Sequence, residues 1–337
     1  MESLEGALSI LLSHAKPVTD AQELPLLDAL NRIAAEDVVS PMNVPPFNRS
    51  PLDGYALHSE DIADASREHP AVVKVIGEAC AGCGEVFRPA RGEAVRVMTG
   101  APVPETCDCV IRQEDTDEGM DYAEIYAPVS HGRNICLAGE DVAAGEVLVH
   151  AGEKLTATHL AVLAGVGKAR VKVVRRVRAA LLCTGDELTQ PGQPLTFGKI
   201  YDSNQMALTA RLAELGVECV QLGELSDDPQ NVADALAHAA LEADIILTTG
   251  GVSVGKKDIF HQVLPLMGAE RLFWRIAMKP GSPLLCGLYQ DKLMICLSGN
   301  PFAALCCFEV FVVPTLRRLS GETSIEAKRV KTRLRGE

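Results

Sequence analysis

The chain has 337 residues, 47% of them apolar, which is enough for several domains with buried cores and too apolar for a disordered tail. Its 32 Lys/Arg against 45 Asp/Glu leave a net charge of −13, and one Trp and five Tyr supply few stacking platforms, so a nucleic-acid binder is excluded. No run reaches the roughly 18 uninterrupted apolar residues of a membrane span, and residues 1–14 carry Glu2 and Glu5 where a signal peptide has a basic region, so no membrane contact and a cytoplasmic location are expected.

The first 40 residues read as helical. Leu4, Leu8, Ile10, Leu11 and Leu12 share one broad face, and 26–35 repeats the pattern after Pro25. At Val44-Pro-Pro-Phe47 the composition changes, and short β-type runs at 72–76, 94–98, 109–112, 123–126 and 146–149 alternate with Gly and Pro. An all-β insert domain over 44–143 follows. Its 8 Lys/Arg against 18 Asp/Glu set it apart from 144–176, where the balance reverses to 6 against 2. A helix at 156–165 with Thr156 or Thr158 as cap, and a β-prone run at 171–177, join 1–43 in an elongated linking domain of 1–43 and 144–176.

From 177 to 320 strands and helices alternate. Strands are predicted at 179–183, 218–222, 244–249, 272–277, 284–288 and 293–297, and helices at 203–215, 229–241, 258–267 and 301–319. That spacing predicts a doubly wound α/β domain with a mostly parallel sheet.

Three turns at predicted strand ends carry candidate chemistry. Thr248-Thr-Gly-Gly-Val-Ser-Val-Gly255 lets backbone N–H groups approach an anion through Gly250, Gly251, Ser253 and Gly255, although it has neither the dinucleotide fingerprint nor the P-loop ending. Ser298-Gly-Asn-Pro301 repeats the logic with Asn300 as helix cap and Pro301 at the first helical position. Thr184-Gly-Asp-Glu187 adds two carboxylates, and with Asp227, Asp228 and Asp258 it suits a hard cation, unless these acids are caps or solvated loop residues. Lys279-Pro-Gly-Ser282 places a cation at a turn, suited to an oxyanion. The thiols of Cys80, Cys83, Cys107 and Cys109 are spaced poorly for zinc and read as small buried hydrophobes.

Taken in order, Pro45-Pro-Phe-Asn-Arg-Ser-Pro-Leu-Asp-Gly-Tyr-Ala56, Met98-Thr-Gly-Ala-Pro-Val-Pro104 and Gly139-Glu-Asp141 resemble the MoeA and gephyrin E-domain family. Thr184-Gly-Asp-Glu-Leu188, Asp202-Ser-Asn204, Thr249-Gly-Gly-Val-Ser-Val-Gly255, Lys279-Pro-Gly281 and Ser298-Gly-Asn-Pro301 extend the resemblance over nearly the whole chain. It implies insertion of molybdate into the dithiolene of adenylylated molybdopterin, with Mg²⁺-dependent release of AMP. It also implies a homodimer whose site lies between the α/β domain of one subunit and the β insert of the other. A molybdopterin adenylyltransferase and molybdoenzyme acceptors would be its partners.

By position, Asp53, Thr99 and Asp141 resemble the family's insert-side catalytic residues, and Glu187, Asp227, Asp258 and Lys279 those of the α/β side. Glu187, Asp227 and Asp258 would hold Mg²⁺ and water against the phosphoanhydride, and Lys279 would stabilise oxyanion charge. Gly250, Gly251, Ser253, Gly255, Arg275, Pro280, Gly281, Ser298, Gly299, Asn300 and Pro301 would bind substrate. Arg275 stands where the family commonly has lysine, and Ser298 where it commonly has proline. The family continues into a small β-barrel, of which 321–337 is expected to be the truncated start. Two other readings stay open: a molybdopterin adenylyltransferase, which the β insert disfavours, and a non-catalytic molybdopterin-binding scaffold.

Overall fold

Ser3 opens the first helix: its Oγ accepts the Gly6 N–H at 3.0 Å, and helix α1 (Leu4–His14) buries Ala7 and Leu11. The computed structural model describes residues 1–82, 84–223, 225, 228–252, 259–325 and 330–331. After α1 come strands β1 (Ala21–Pro25), β2 (Val38–Val39), β3 (Gly54–Leu57), β4 (Ala71–Ala79), β5 (Glu93–Val97), β6 (Cys109–Arg112), β7 (Tyr122–Ile125) and β8 (Val147–Val149), then helix α2 (Ala157–Gly165) and strand β9 (Arg170–Val174). The α/β part runs β10 (Arg178–Cys183), β11 (Leu188–Thr189), β12 (Ile200–Tyr201), α3 (Ser203–Glu214), β13 (Glu218–Gln221), α4 (Pro229–Ala239), β14 (Ile245–Thr249) and α5 (Phe260–Met267). It closes with β15 (Glu270–Trp274), β16 (Leu285–Tyr289), β17 (Lys292–Leu297), α6 (Pro301–Cys307) and α7 (Val313–Leu319). By internal contacts the chain divides into two compact units, one of Met1–Asp37, Val149–Leu160 and Ala169–Glu337, the other of Val38–Leu148 and Ala161–Lys168.

The larger unit is built on a six-stranded sheet in the order β13-β10-β14-β17-β16-β15. The first four strands are parallel and the last two antiparallel. β14, at the centre, is buried along its whole length, as a strand covered on both faces must be. Side chains alternate between two cores. Ala179, Leu181, Ile245, Leu247 and Ile295 join α1, α3 and the last helices, whereas Ala180, Leu182, Ile246, Met294 and Cys296 join α4 and α5. The expected doubly wound α/β fold is therefore what forms.

The helix expected at 26–35 does not form. Only a 3₁₀ turn, Leu27–Ala29, is helical, and Leu27 is largely exposed. β1 instead pairs antiparallel with β9, from Ala21 opposite Val174 to Pro25 opposite Arg170, and Ile33 and Ala34 bridge Lys154 and Val173. The partners are more than a hundred residues away, so local periodicity cannot signal them. The long helix expected at 301–319 is helical throughout but widens to a π-turn at Phe308–Val312, between α6 and α7. Pro314 lacks an N–H to continue an α-ladder, and the next residue, Thr315, donates its hydroxyl to the Phe311 carbonyl at 2.7 Å. The strand expected at 272–277 ends at Trp274, where Arg275 adopts φ +67.

The smaller unit holds a five-stranded sheet in the order β6-β3-β5-β4-β7. β3 lies outside the β-type runs expected from the sequence, yet Gly54–Leu57 is buried throughout and pairs with both β5 and β6. A Cβ at Gly54 would collide with the Ile111 carbonyl, so only glycine permits this close approach. Cys107 and Cys109 are buried as expected, and burial pushes both thiols up to about 12. Cys80, expected to be buried, is exposed because it follows the end of β4, and Cys83 lies outside the described residues.

Candidate active site

Parallel pairing sets the site on the larger unit. Cys183, Thr249 and Leu297 lie in register at the carboxyl ends of β10, β14 and β17, which puts the three following turns side by side. Such strand ends are where open α/β sheets bind ligands. The Thr184 N–H bonds the Thr249 carbonyl at 3.0 Å, and the Gly250 N–H bonds Leu297 O at 3.2 Å. Gly250 holds φ +89, and a Cβ there would press into the Thr184 carbonyl. A Cβ at Gly299 would lie 3.5 Å from Gly250 Cα. Gly250 and Gly299 thus bring two turns within backbone contact.

The neighbouring segments hold this arrangement. Asp202, 4% exposed, caps α3 by accepting the Gln205 N–H at 2.9 Å, and Asn204 Nδ2 donates to the Gly299 carbonyl at 2.9 Å. Asn300 accepts the Ala303 N–H at 3.1 Å, so its capping role is real, with Pro301 next. Ser298 Oγ accepts the Asn300 N–H at 3.3 Å, a contact a proline there could not make. Glu187 is exposed, and its carbonyl accepts the Ile200 N–H at 2.8 Å beside the β11–β12 ribbon. Asp228, weighed above as a cation ligand, caps α4 through the Asn231 N–H at 2.9 Å.

The two cations lie on separate supports. Arg275 stacks over Trp274, 4.5 Å from the ring centroid, and Trp274 Nε1 donates to the Val252 carbonyl at 3.4 Å. This ties a guanidinium to the end of the Gly250-Gly251 turn. Lys279 is exposed on a turn closed by the Ile276 N–H on Ser282 O at 3.0 Å. Pro280 follows a cis bond, and buried Gly281 accepts the Cys307 thiol of α6 at 3.4 Å. Cys183 and Cys296 at the strand ends have thiols pushed up to about 12 by burial, so neither supplies a thiolate. Asp227, Ser253, Gly255 and Asp258 lie outside the described residues. Asn204 and Trp274 are the contributors the sequence left unassigned. A polar residue on the inward face of an otherwise amphipathic helix was the signal for Asn204.

In the smaller unit three sequence-distant segments interlock. Arg49 bridges both Pro102 and Cys136, the Ala138 N–H bonds Asn48 Oδ1 at 2.9 Å, and the Gly139 N–H bonds Pro45 O at 3.0 Å. Asp53 Oδ1 accepts both the Thr99 N–H at 2.7 Å and the Thr99 hydroxyl at 2.8 Å. The Thr99 N–H first, and then its hydroxyl, hold the Asp53 carboxyl below the usual carboxylate range, so it presents a charged group to solvent. Exposed Asp141 is anchored by its N–H on Val44 O at 3.0 Å. Asp53 and Thr99 are thus joined directly, and Asp141 belongs to the same interlocked set.

Among the described residues no three His, Cys, Asp or Glu side chains cluster for a metal. Glu187 is the one described member of the proposed Mg²⁺ set, so the described residues alone do not form a cation site, and no step is routed through one. Among them, too, no helix is long and apolar enough to cross a membrane.

Residues 2–167 match the MoeA N-terminal region (domain I and II), and residues 180–318 match a probable molybdopterin binding domain. The chain is 38% identical over 326 residues to a molybdopterin molybdenumtransferase of Haemophilus influenzae, covering 96% of this chain and 78% of that protein. It is 37% identical over 327 residues to the enzyme of the same name from Bacillus subtilis, covering 95% and 76%. The crystal structure of a molybdopterin biosynthesis MoeA protein from Pyrococcus horikoshii superposes with a TM-score of 0.85 at 36% identity, covering 95% of this chain and 80% of that one. With both parts of the chain matched and relatives of 37–38% identity covered over three quarters of their length, the chain belongs to the MoeA family of molybdopterin molybdenumtransferases.

Proposed function

We propose that this protein inserts molybdenum in molybdenum cofactor biosynthesis, taking molybdate into the dithiolene of adenylylated molybdopterin and releasing AMP. The observation that carries the reading is the meeting of the Gly250 and Gly299 turns at the carboxyl end of the parallel sheet, with Lys279 exposed on the turn anchored to α6. Close-approaching glycine backbone and a flexible ammonium suit a phosphorylated ligand and the oxyanion charge that develops on its cleavage. The 38% identity to a relative named as this transferase over 96% of the chain supports the same reaction.

Under this reading Glu187, Asp227 and Asp258 hold Mg²⁺, and Ser253 and Gly255 extend the phosphate-binding turn. Asp53, Thr99 and Asp141 reach the same substrate from the partner subunit of a homodimer in the cytoplasm. The depressed pKa of Asp53 supports its working as an anion. The test is AMP release from adenylylated molybdopterin with molybdate, with and without Mg²⁺. Lys279→Ala is expected to lose about 10²-fold or more in rate, as for removal of one electrostatic catalytic group. A wild-type rate in that variant, or undiminished AMP release in a chelator, would overturn the assignment of Lys279 or of Mg²⁺ respectively.

A further inference from the structure

At the amino-terminal ends of β10 and β13, opposite the strand ends just described, the larger unit contains a cavity of about 80 Å³. Five cations line it, Arg32, Lys154, Arg175, Arg176 and Arg317, against one acid, Glu322. We propose that this cavity binds one small tetrahedral oxyanion, of the phosphate, sulfate or molybdate class. The inference does not depend on the proposed reaction.

Arg32 carries the argument. It is 9% exposed, and among the described residues its guanidinium makes one hydrogen bond, from Nη2 to the Val174 carbonyl at 2.8 Å. A guanidinium has five N–H donors, and a buried cation without a carboxylate is costly unless something else pairs with it. Among the described residues no carboxylate lies within ion-pair distance of Arg32. Burial, and then Arg176, push its pKa down, while Glu218 pulls it the other way, so the surroundings oppose a cation on balance.

The other cations divide in two. Arg175 is saturated by Asp20 at 2.9 Å and by Asp244 at 2.7 and 2.8 Å. Arg317 faces Glu322 at 3.9 Å and the Ile325 carbonyl at 3.3 Å. Arg176 and Lys154 are exposed at the cavity and have no carboxylate partner among the described residues, so with Arg32 they leave three uncompensated charges around one space. That space equals roughly two to three waters, about the size of one tetrahedral oxyanion. Guanidinium forks match oxyanion geometry, and a single dianion would compensate Arg32 where it lies.

The experiment is calorimetric titration of the full chain at low ionic strength with phosphate, sulfate and molybdate in turn. One anion per chain is expected. Arg176→Glu, an exposed substitution that offers Arg32 a carboxylate in place of the ligand, should weaken binding tenfold or more at an unchanged melting temperature, and Lys154→Gln should weaken it less. Lys279→Ala should leave this binding intact, which separates it from anion binding at the candidate active site. Equal affinity for the three ions marks a site reading charge and shape, and a preference names the natural ion. Binding that survives Arg176→Glu unchanged, that disappears with Lys279→Ala, or that is absent at millimolar anion would overturn the proposal.

Discussion

Replacing Gly250 by alanine tests how closely the site depends on backbone approach. Gly250 holds φ +89, and an added Cβ would fall well inside 3.0 Å of the Thr184 carbonyl oxygen, with Thr184 Oγ1 at 3.1 Å. Neither side yields easily. Thr184 is 4% exposed, and its N–H is bonded to Thr249 O at 3.0 Å, so its carbonyl is held by the sheet itself. A non-glycine residue in this region of φ costs about 1–3 kcal/mol, and overpacking against fixed backbone adds on the order of 1–3 kcal/mol. At roughly 2–4 °C per kcal/mol for a unit of this size, the combined cost of about 2–6 kcal/mol should lower the melting temperature of Gly250→Ala by about 4–24 °C. Gly299→Ala is the matched control: its Cβ meets only Gly250 Cα, at 3.5 Å, and the change should stay within about 1 kcal/mol. Thermal melts followed by circular dichroism measure both, and AMP release should fall further in Gly250→Ala because Thr184 and the turn to Glu187 must move. Indistinguishable melts for the two variants would refute the steric reasoning.

Asp244 accepts Arg175 at 2.7 and 2.8 Å and the Arg178 N–H at 2.8 Å; burial raises its pKa, but these donors outweigh it and leave the carboxyl below its usual range. A depressed carboxylate adds stability above its unfolded pKa of about 3.9 that is lost as pH falls through the folded value, so Asp244→Asn should cost about 1–3 kcal/mol near neutral pH and almost nothing in strong acid. Urea denaturation at both pH values reads this out, and a deficit independent of pH would be the contrary result. Mixing Asp53→Ala with Asp258→Ala chains should restore roughly a quarter of wild-type AMP release after subunit exchange, since half the dimers are mixed and each holds one intact site. Exchange confirmed with tagged chains, but without recovered activity, would remove the two-subunit site and leave the family assignment standing.

The amino-acid sequence by itself determined the α/β part, because each of its elements announces itself locally. Buried apolar runs such as Ile245–Thr249, a cap such as Asn300, and glycines at strand ends are short-range signals, and the structure forms them close to where they were expected. The ordered motifs likewise made the family legible before any coordinates. What the sequence could not decide depends on partners far along the chain. Residues 26–35 carry a helical period, but Ile33 and Ala34 are drawn to Lys154 and Val173 and the period is overridden. Gly54–Leu57 carries no local strand signal after Asp53-Gly54, a pair that favours a turn, yet β5 and β6 on either side make it a buried strand and bring Asp53 onto Thr99. Nothing local marks Arg32, and only tertiary packing buries it with the Val174 carbonyl as its guanidinium's hydrogen-bond partner among the described residues. A local pattern records what a segment prefers alone, whereas pairing register and desolvation are fixed by whichever remote segment satisfies its backbone and its charge.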